Sequence, residues 1–74
     1  MNVVIGIKHV ATTVNLRTNA TPEEVRSLAR AAIRDGELLE LQDVHGGSVV
    51  VDGDSIAYVE IGEPGTRKVG FGIA

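Results

Sequence analysis

Residues 62–69, Gly-Glu-Pro-Gly-Thr-Arg-Lys-Val, form the segment of this sequence whose spacing most resembles a site for chemistry. The segment follows a β-rich run, as a phosphate-binding P-loop does, and glycines in such a loop let backbone N–H groups wrap a phosphate. The motif needs a glycine before its lysine and a hydroxyl residue after it, but Arg67 and Val69 stand there. We therefore favour a turn, and keep a nucleotide or small-anion binder using Gly62 to Val69 as the alternative function.

Other polar residues give little support for a metal site or a catalytic site. Asp52 and Asp54 are spaced as in a calcium loop, but Ile56 occupies the next ligand position. His9 and His45 belong to different predicted turns, whereas a metal needs several converging ligands. The sequence offers no nucleophile–base arrangement and no paired carboxylates. We expect no catalytic residue, no metal and no cofactor, and therefore a protein that is not an enzyme.

The charged residues are unevenly distributed along the chain. Between Glu37 and Thr66 there are seven acidic residues and no basic one, whereas the first 36 positions hold five of the seven Lys and Arg residues. Arg26, Arg30 and Arg34 recur every four residues, so on a helix they form one ridge. This ridge is either a solvated face or a contact for an anion, including the acidic half of another copy. The net charge of −3 argues against a nucleic-acid protein.

Five stretches with alternating apolar residues, and a less regular sixth, predict the strands that would position these groups. Turn residues separate them at 45–47, 52–54 and 62–65. The apolar members are Val3, Ile5 and Ile7; Val14 and Leu16; Leu39 and Leu41; Val49 and Val51; Ala57, Val59 and Ile61; and finally Val69, Phe71 and Ile73. Glycines at positions 70 and 72 weaken the sixth stretch as a strand.

A single helix is predicted over residues 22–35. Thr21 is a good N-cap, Pro22 suits the first helical position, and Glu24 completes a capping box. Gly36 is the expected end, because glycine tolerates the left-handed conformation found there. The predicted apolar stripe consists of Val25, Leu28, Ala29, Ala32 and Ile33.

This element order indicates an α+β protein, with a mixed sheet of five or six strands and one helix on one face. By analogy the layout ββαβββ is that of the β-grasp (ubiquitin-like) fold, in which the first and last main strands lie side by side in parallel. The alternative is an antiparallel meander with one packed helix. A ubiquitin-like carrier would need an accessible Gly-Gly end, whereas this chain reads Gly70-Phe71-Gly72-Ile73-Ala74.

The composition of the 74 residues predicts one small domain with an aliphatic core. Hydrophobic residues make up 43%, which is enough for a core, but the aromatic residues are Tyr58 and Phe71 alone and there is no cysteine. No apolar run approaches the length of a membrane span, and no secretory leader is recognisable. We expect a cytoplasmic protein that does not associate with membranes.

One helix can cover only one face of a sheet, so some apolar residues should remain on the other face. The sequence predicts that these are Val4, Leu38, Val50, Ile56 and Tyr58. They either form one contiguous patch, which on a small protein marks an interaction surface, or scatter singly over the sheet, which is common. A contiguous patch would favour self-association, which supplies burial that a short chain without cysteines lacks.

The sequence also resembles a known family. The resemblance is carried by Lys8-His9 after the opening apolar run, by residues 21–25 (Thr-Pro-Glu-Glu-Val), and above all by residues 56–72. These segments are similar to a small actinobacterial family catalogued as domain of unknown function 3107. The resemblance implies a stand-alone intracellular actinobacterial protein, and it carries over no catalytic residue.

The sequence therefore predicts a non-enzymatic binding or adaptor module that engages a protein partner or itself, as a homodimer. We expect the contacts to come from a sheet face and the C-terminal segment, through Tyr58, Glu60, Arg67, Lys68 and Phe71. Aromatic residues and arginine are favoured at protein interfaces because they offer large contact areas and, for arginine, bidentate hydrogen bonds.

Overall fold

The computed structural model describes residues 1–62. Five strands form two antiparallel sheets, and one α-helix packs against them. The elements are β1 (Asn2–Ile7), β2 (Thr13–Arg17), α1 (Pro22–Asp35), β3 (Leu38–Gln42), β4 (Ser48–Asp52), a short 3-10 turn (Gly53–Ser55) and β5 (Ile56–Ile61). Sheet A has the order β2-β1-β5, and sheet B is the β3–β4 hairpin. The α+β class is confirmed.

The helix has the ends that its sequence predicts. The Thr21 hydroxyl accepts a hydrogen bond from the Glu24 N–H (3.1 Å), and the Glu24 carboxylate accepts one from the Thr21 N–H (2.9 Å). At the other end Gly36 is left-handed (φ 67°), and the Glu37 N–H reaches back to the Ala32 carbonyl at 3.0 Å. The Ala32 carbonyl thus accepts from both the Gly36 and the Glu37 N–H, which closes the last turn of the helix.

The core lies where α1 packs against the two sheets. Val3 and Ile5 of β1 and Leu39 of β3 are almost completely buried, and Val25, Ala29 and Ala32 of the helix contact the same cluster. Leu28 and Ile33 lie at the two margins of the stripe and remain 48% and 46% exposed. The predicted stripe is therefore correct at its centre and too wide at its margins.

The single mixed sheet of the sequence prediction is wrong. Strand β5 pairs with β1 in antiparallel fashion, Ile5 lying opposite both Val59 and Val14, so the parallel pair of a β-grasp fold does not form. The direction of β5 follows from the point at which it joins sheet A. Just before β5, the Ser55 carbonyl accepts a hydrogen bond from the Lys8 N–H (2.8 Å), just after β1. Strand β5 thus begins at the end of β1 and runs back along it.

The antiparallel pairing of the meander alternative is found, but its strand order is not, because β1 lies between β2 and β5 instead of at an edge. Sheets A and B are linked by a hydrogen bond from the Val44 N–H to the Arg17 carbonyl (2.8 Å).

The predicted sixth strand lies outside the described residues. Within residues 1–62, no helix has the length and apolarity needed to cross a bilayer.

Gly53 is the position where the fold tolerates least additional volume. Its N–H donates to the Glu37 carbonyl (2.8 Å), and a Cβ placed here would overlap the carbonyl oxygen of Ala32. Backbone cannot move aside as a flexible side chain can, so we expect Gly53→Ala to lower the free energy of unfolding by about 1–3 kcal/mol. Urea unfolding measures this. Ser48→Ala, at an exposed strand position, is the control and should change it by less than about 0.5 kcal/mol. Equal effects of the two changes would contradict this account of the Gly53 contact.

Candidate functional site

The face of sheet A that points away from the helix is the candidate site, and we call it the outer face. Because side chains alternate along a strand, the burial of Val3 and Ile5 toward the helix turns their neighbours to this side. The pairing register then brings together the residues of three strands. The outer face consists of Asn2, Val4, Gly6, Thr13, Asn15, Arg17, Tyr58 and Glu60.

The Tyr58 ring lies across Gly6 toward one end of the outer face. The two residues are directly paired in the β1–β5 ladder, and a Cβ at Gly6 would overlap ring atoms Cε2 and Cζ of Tyr58. Glycine is unfavourable within a strand unless something must approach its backbone closely, and the aromatic ring is what approaches here. The ring buries Gly6 on one side and leaves Tyr58 48% exposed on the other.

A β-bulge determines which side chains of β5 reach the outer face. The register shifts between Gly6 and Ile7, so Gly6 pairs with Tyr58 whereas Ile7 pairs with Ile56. Ala57 is the extra residue, and Ile56 turns into the core, where it is 3% exposed. A bulge of this kind redirects side chains at the edge of a sheet.

The five-residue apolar patch predicted for the far side of the sheet does not form. Ile56 is buried, and Leu38 and Val50 are exposed on sheet B (67% and 51%). Only Val4 and Tyr58 share the outer face of sheet A. The patch was predicted on the assumption of one continuous sheet, and two separate sheets divide its members.

Of the five predicted partner contacts, Tyr58 and Glu60 lie in the described part of the chain. They are two positions apart on β5 and therefore project from the same face, and both are exposed. Arg67, Lys68 and Phe71 lie outside the described residues. The P-loop-like segment 62–69 does so as well, apart from Gly62, whose N–H donates to the Asn2 carbonyl at 2.9 Å.

The arginine ridge is exposed along the helix, and two of its three members have acidic neighbours. Arg26 lies 3.7 Å from Glu23, and Arg34 makes two hydrogen bonds of 2.9 and 3.0 Å to the Asp35 carboxylate. The hydrogen bonds from Arg34 lower the pKa of Asp35 and raise that of Arg34. Arg30, by contrast, forms no ion pair with a side chain of residues 1–62. The charge offered to an anion is thus concentrated at the middle of the ridge.

The remaining polar residues of interest serve in turns. The Asp52 carboxylate accepts a hydrogen bond from the Asp54 N–H (3.1 Å), as in an Asx turn. The Asp43 carboxylate does the same for the His45 N–H (2.9 Å), and His9 adopts a left-handed conformation between β1 and β2 (φ 64°). Within residues 1–62, no group of three or more His, Cys, Asp or Glu side chains is placed to hold a metal ion.

A surface cleft of about 270 Å³ opens where the β2–α1 connection, the helix and the end of β3 meet. Its apolar surface comes from the helix, the strand and the two connections, and its rim carries two carboxylates. The lining residues are Thr18, Asn19, Ala20, Leu28, Glu40, Leu41, Gln42, Asp43 and Val44. Sequence reasoning missed this cleft. The one available signal was Val44, an apolar residue that breaks the alternation just after β3.

The amino-acid sequence matches a known protein family over nearly its whole length. Residues 1–72 match the family described as protein of unknown function (DUF3107), so the chain belongs to that family. The family predicted from residues 56–72 and the two shorter segments is confirmed. No curated protein matches the chain significantly.

The contact between Tyr58 and Gly6 predicts that their substitutions are coupled. In the wild-type background Gly6→Ala should lower the free energy of unfolding, because the new Cβ displaces the ring. In the Tyr58→Ala background it should raise that free energy, since alanine in a strand is favoured over glycine by about 0.5–1 kcal/mol. The coupling from a double-mutant cycle by urea unfolding is the sum of these two opposite effects, so it should be about 1–3 kcal/mol. Effects that simply add would show that the ring does not rest on Gly6.

Proposed function

We propose that this protein is a non-enzymatic binding module and that the outer face of sheet A is its contact surface. The observation that carries the proposal is the Tyr58 ring, which is held against Gly6 on one side and exposed on the other. Such a ring offers a large contact area, and little of its conformational freedom is left to lose when a partner binds.

The surroundings of Tyr58 suit a protein partner. Glu60 and Val4 are directly paired next to it, and Thr13 and Asn15 of β2 add small polar groups. An aromatic residue with an apolar neighbour and a polar surround is typical of a protein interface. Hydroxyl and amide groups at the margin can pair with many partners and exclude water from the centre.

We propose Arg67, Lys68 and Phe71 as further contacts on the same partner, because they follow β5 closely in sequence and add two cations and the second aromatic residue. The partner that we propose first is a second copy of this chain. A copy supplies an acidic region from Glu37 to Glu63 for these cations, and its burial would help a chain that has no disulfide.

Alanine substitution of Tyr58 tests the proposal. Tyr58→Ala should weaken self-association about tenfold or more, as expected for loss of an aromatic interface residue, and this is measured by sedimentation velocity over a range of concentrations. If the partner is a different protein, affinity capture from lysates of the producing cells should recover it with the wild type and not with Tyr58→Ala or Phe71→Ala.

The matched control is Val50→Ala, which removes a similarly exposed apolar side chain (51%) from sheet B. Far-UV circular dichroism shows that each variant is folded. The proposal is wrong if Tyr58→Ala and Phe71→Ala both leave the oligomeric state and every captured protein as they are in the wild type. It is also wrong if Val50→Ala has the same effect as Tyr58→Ala.

A further inference from the structure

We propose that the cleft between the β2–α1 connection, α1 and β3 binds the C-terminal residues 67–74 of the same chain, with Phe71 as the side chain that enters it. The contact is intramolecular and does not depend on the function proposed above. Three observations support it: the apolar lining of the cleft, the charges on its rim and the position at which the described chain ends.

The apolar lining requires an apolar occupant. Leu28 and Val44 face the cleft while remaining substantially exposed, and Leu41 forms part of its inner wall. With a volume of about 270 Å³ the cleft is smaller than typical cofactor and drug pockets, so one or two side chains suit it better than a cofactor. Residues 67–74 supply Val69, Phe71 and Ile73 at alternate positions.

The rim charges select a basic segment. Glu40 and Asp43 line the cleft, and among residues 1–62 no Lys or Arg does. The Asp43 carboxylate already accepts a hydrogen bond from the His45 N–H, so Glu40 is the less committed of the two. Residues 64–74 contain Arg67 and Lys68 and no Asp or Glu. Opposite charges at this exposed position would set the orientation of the segment more than the strength of the contact.

The described chain ends within reach of the cleft. Gly62 bonds to Asn2, Asn2 pairs with Arg17, and the Arg17 carbonyl bonds to Val44 at the cleft. Three steps at the spacing of neighbouring strands amount to roughly 15 Å. Phe71 stands nine positions after Gly62, and extended backbone of that length spans up to about 30 Å. The segment can therefore reach the cleft of its own chain with length to spare.

This contact would control access to the C-terminal segment. While Phe71 occupies the cleft it is not free for a partner, so a partner that uses Phe71 has to compete with Leu28 and Val44. The apparent affinity for such a partner would then be reduced by the fraction of molecules with an occupied cleft. Loss of the cleft contact would increase that affinity, whereas loss of Tyr58 would decrease it.

A spin label at the C-terminus tests the contact in the full chain. The protein has no cysteine, so Ala74→Cys gives one labelling position and leaves Phe71 and Ile73 unchanged. The amide NMR signals of residues 18–20 and 42–44 should lose more than half of their intensity, and more than those of residues 51 and 52 at the other end of the β3–β4 hairpin.

Two helix variants provide the matched comparison. Leu28 and Ile33 are almost equally exposed on the same helix, but only Leu28 lines the cleft. Leu28→Ala should restore at least half of the lost intensity and Ile33→Ala should not; equal effects overturn the proposal. Phe71→Ala should restore the intensity as Leu28→Ala does.

The location and the source of the segment are tested in the same experiment. Absence of broadening at the cleft overturns the proposal, as does broadening confined to residues 56–60, which would place the segment along β5 instead. Mixing spin-labelled chains with isotope-labelled, unmodified chains should give no broadening at the cleft residues 18–20 and 42–44. Broadening at those cleft residues in the mixture would show that the cleft holds the segment of another copy and would overturn the intramolecular assignment. None of these signals requires a partner or a dimer, so failure here leaves the binding function of the outer face open to its own test.

Discussion

The packing of the helix C-terminus against the backbone of Gly53 is the contact on which both sheets depend. The Glu37 carbonyl, just after the helix, accepts the Gly53 N–H, and the Ala32 carbonyl occupies the space that a side chain would need. This contact fixes the point where the chain leaves sheet B. The Ser55 carbonyl then bonds to Lys8, and from there β5 can run only back along β1. A turn of three residues thus sets the direction of a strand in the other sheet.

The bulge in β5 has an equally large effect on the surface. Without the extra residue Ala57, side chains would alternate regularly along β5, and Ile56 and Tyr58 would point to the same side of the sheet. With it, Ile56 completes the core and Tyr58 is turned outward onto Gly6. One inserted position therefore supplies both a buried aliphatic side chain and an exposed aromatic one. It also explains why a glycine stands in the middle of the central strand, where it would otherwise weaken the sheet.

Local features were predictable from the sequence, and long-range ones were not. The capping box at Thr21 and Glu24, the end of the helix at Gly36 and the positions of five strands depend on neighbouring residues, which the sequence displays directly. The separation into two sheets and the antiparallel pairing of β1 with β5 depend on contacts such as Gly53 with Ala32, and no local pattern encodes these. Tyr58 and Glu60 could be placed on one face by alternation alone. The contact of the Tyr58 ring with Gly6 and the cleft beside Leu28 could be recognised only from the tertiary structure.

The isolation of Tyr58 on the outer face also gives the molecule an optical property. The chain contains one tyrosine and no tryptophan, so its fluorescence under excitation near 280 nm comes from a single ring at a known position. No tryptophan is present to accept that excitation energy, and the open side of the ring is in contact with solvent. Any process that covers or uncovers the outer face therefore changes the emission of the whole protein. The native chain is, in effect, a labelled molecule, and its surface can be followed without attaching a dye.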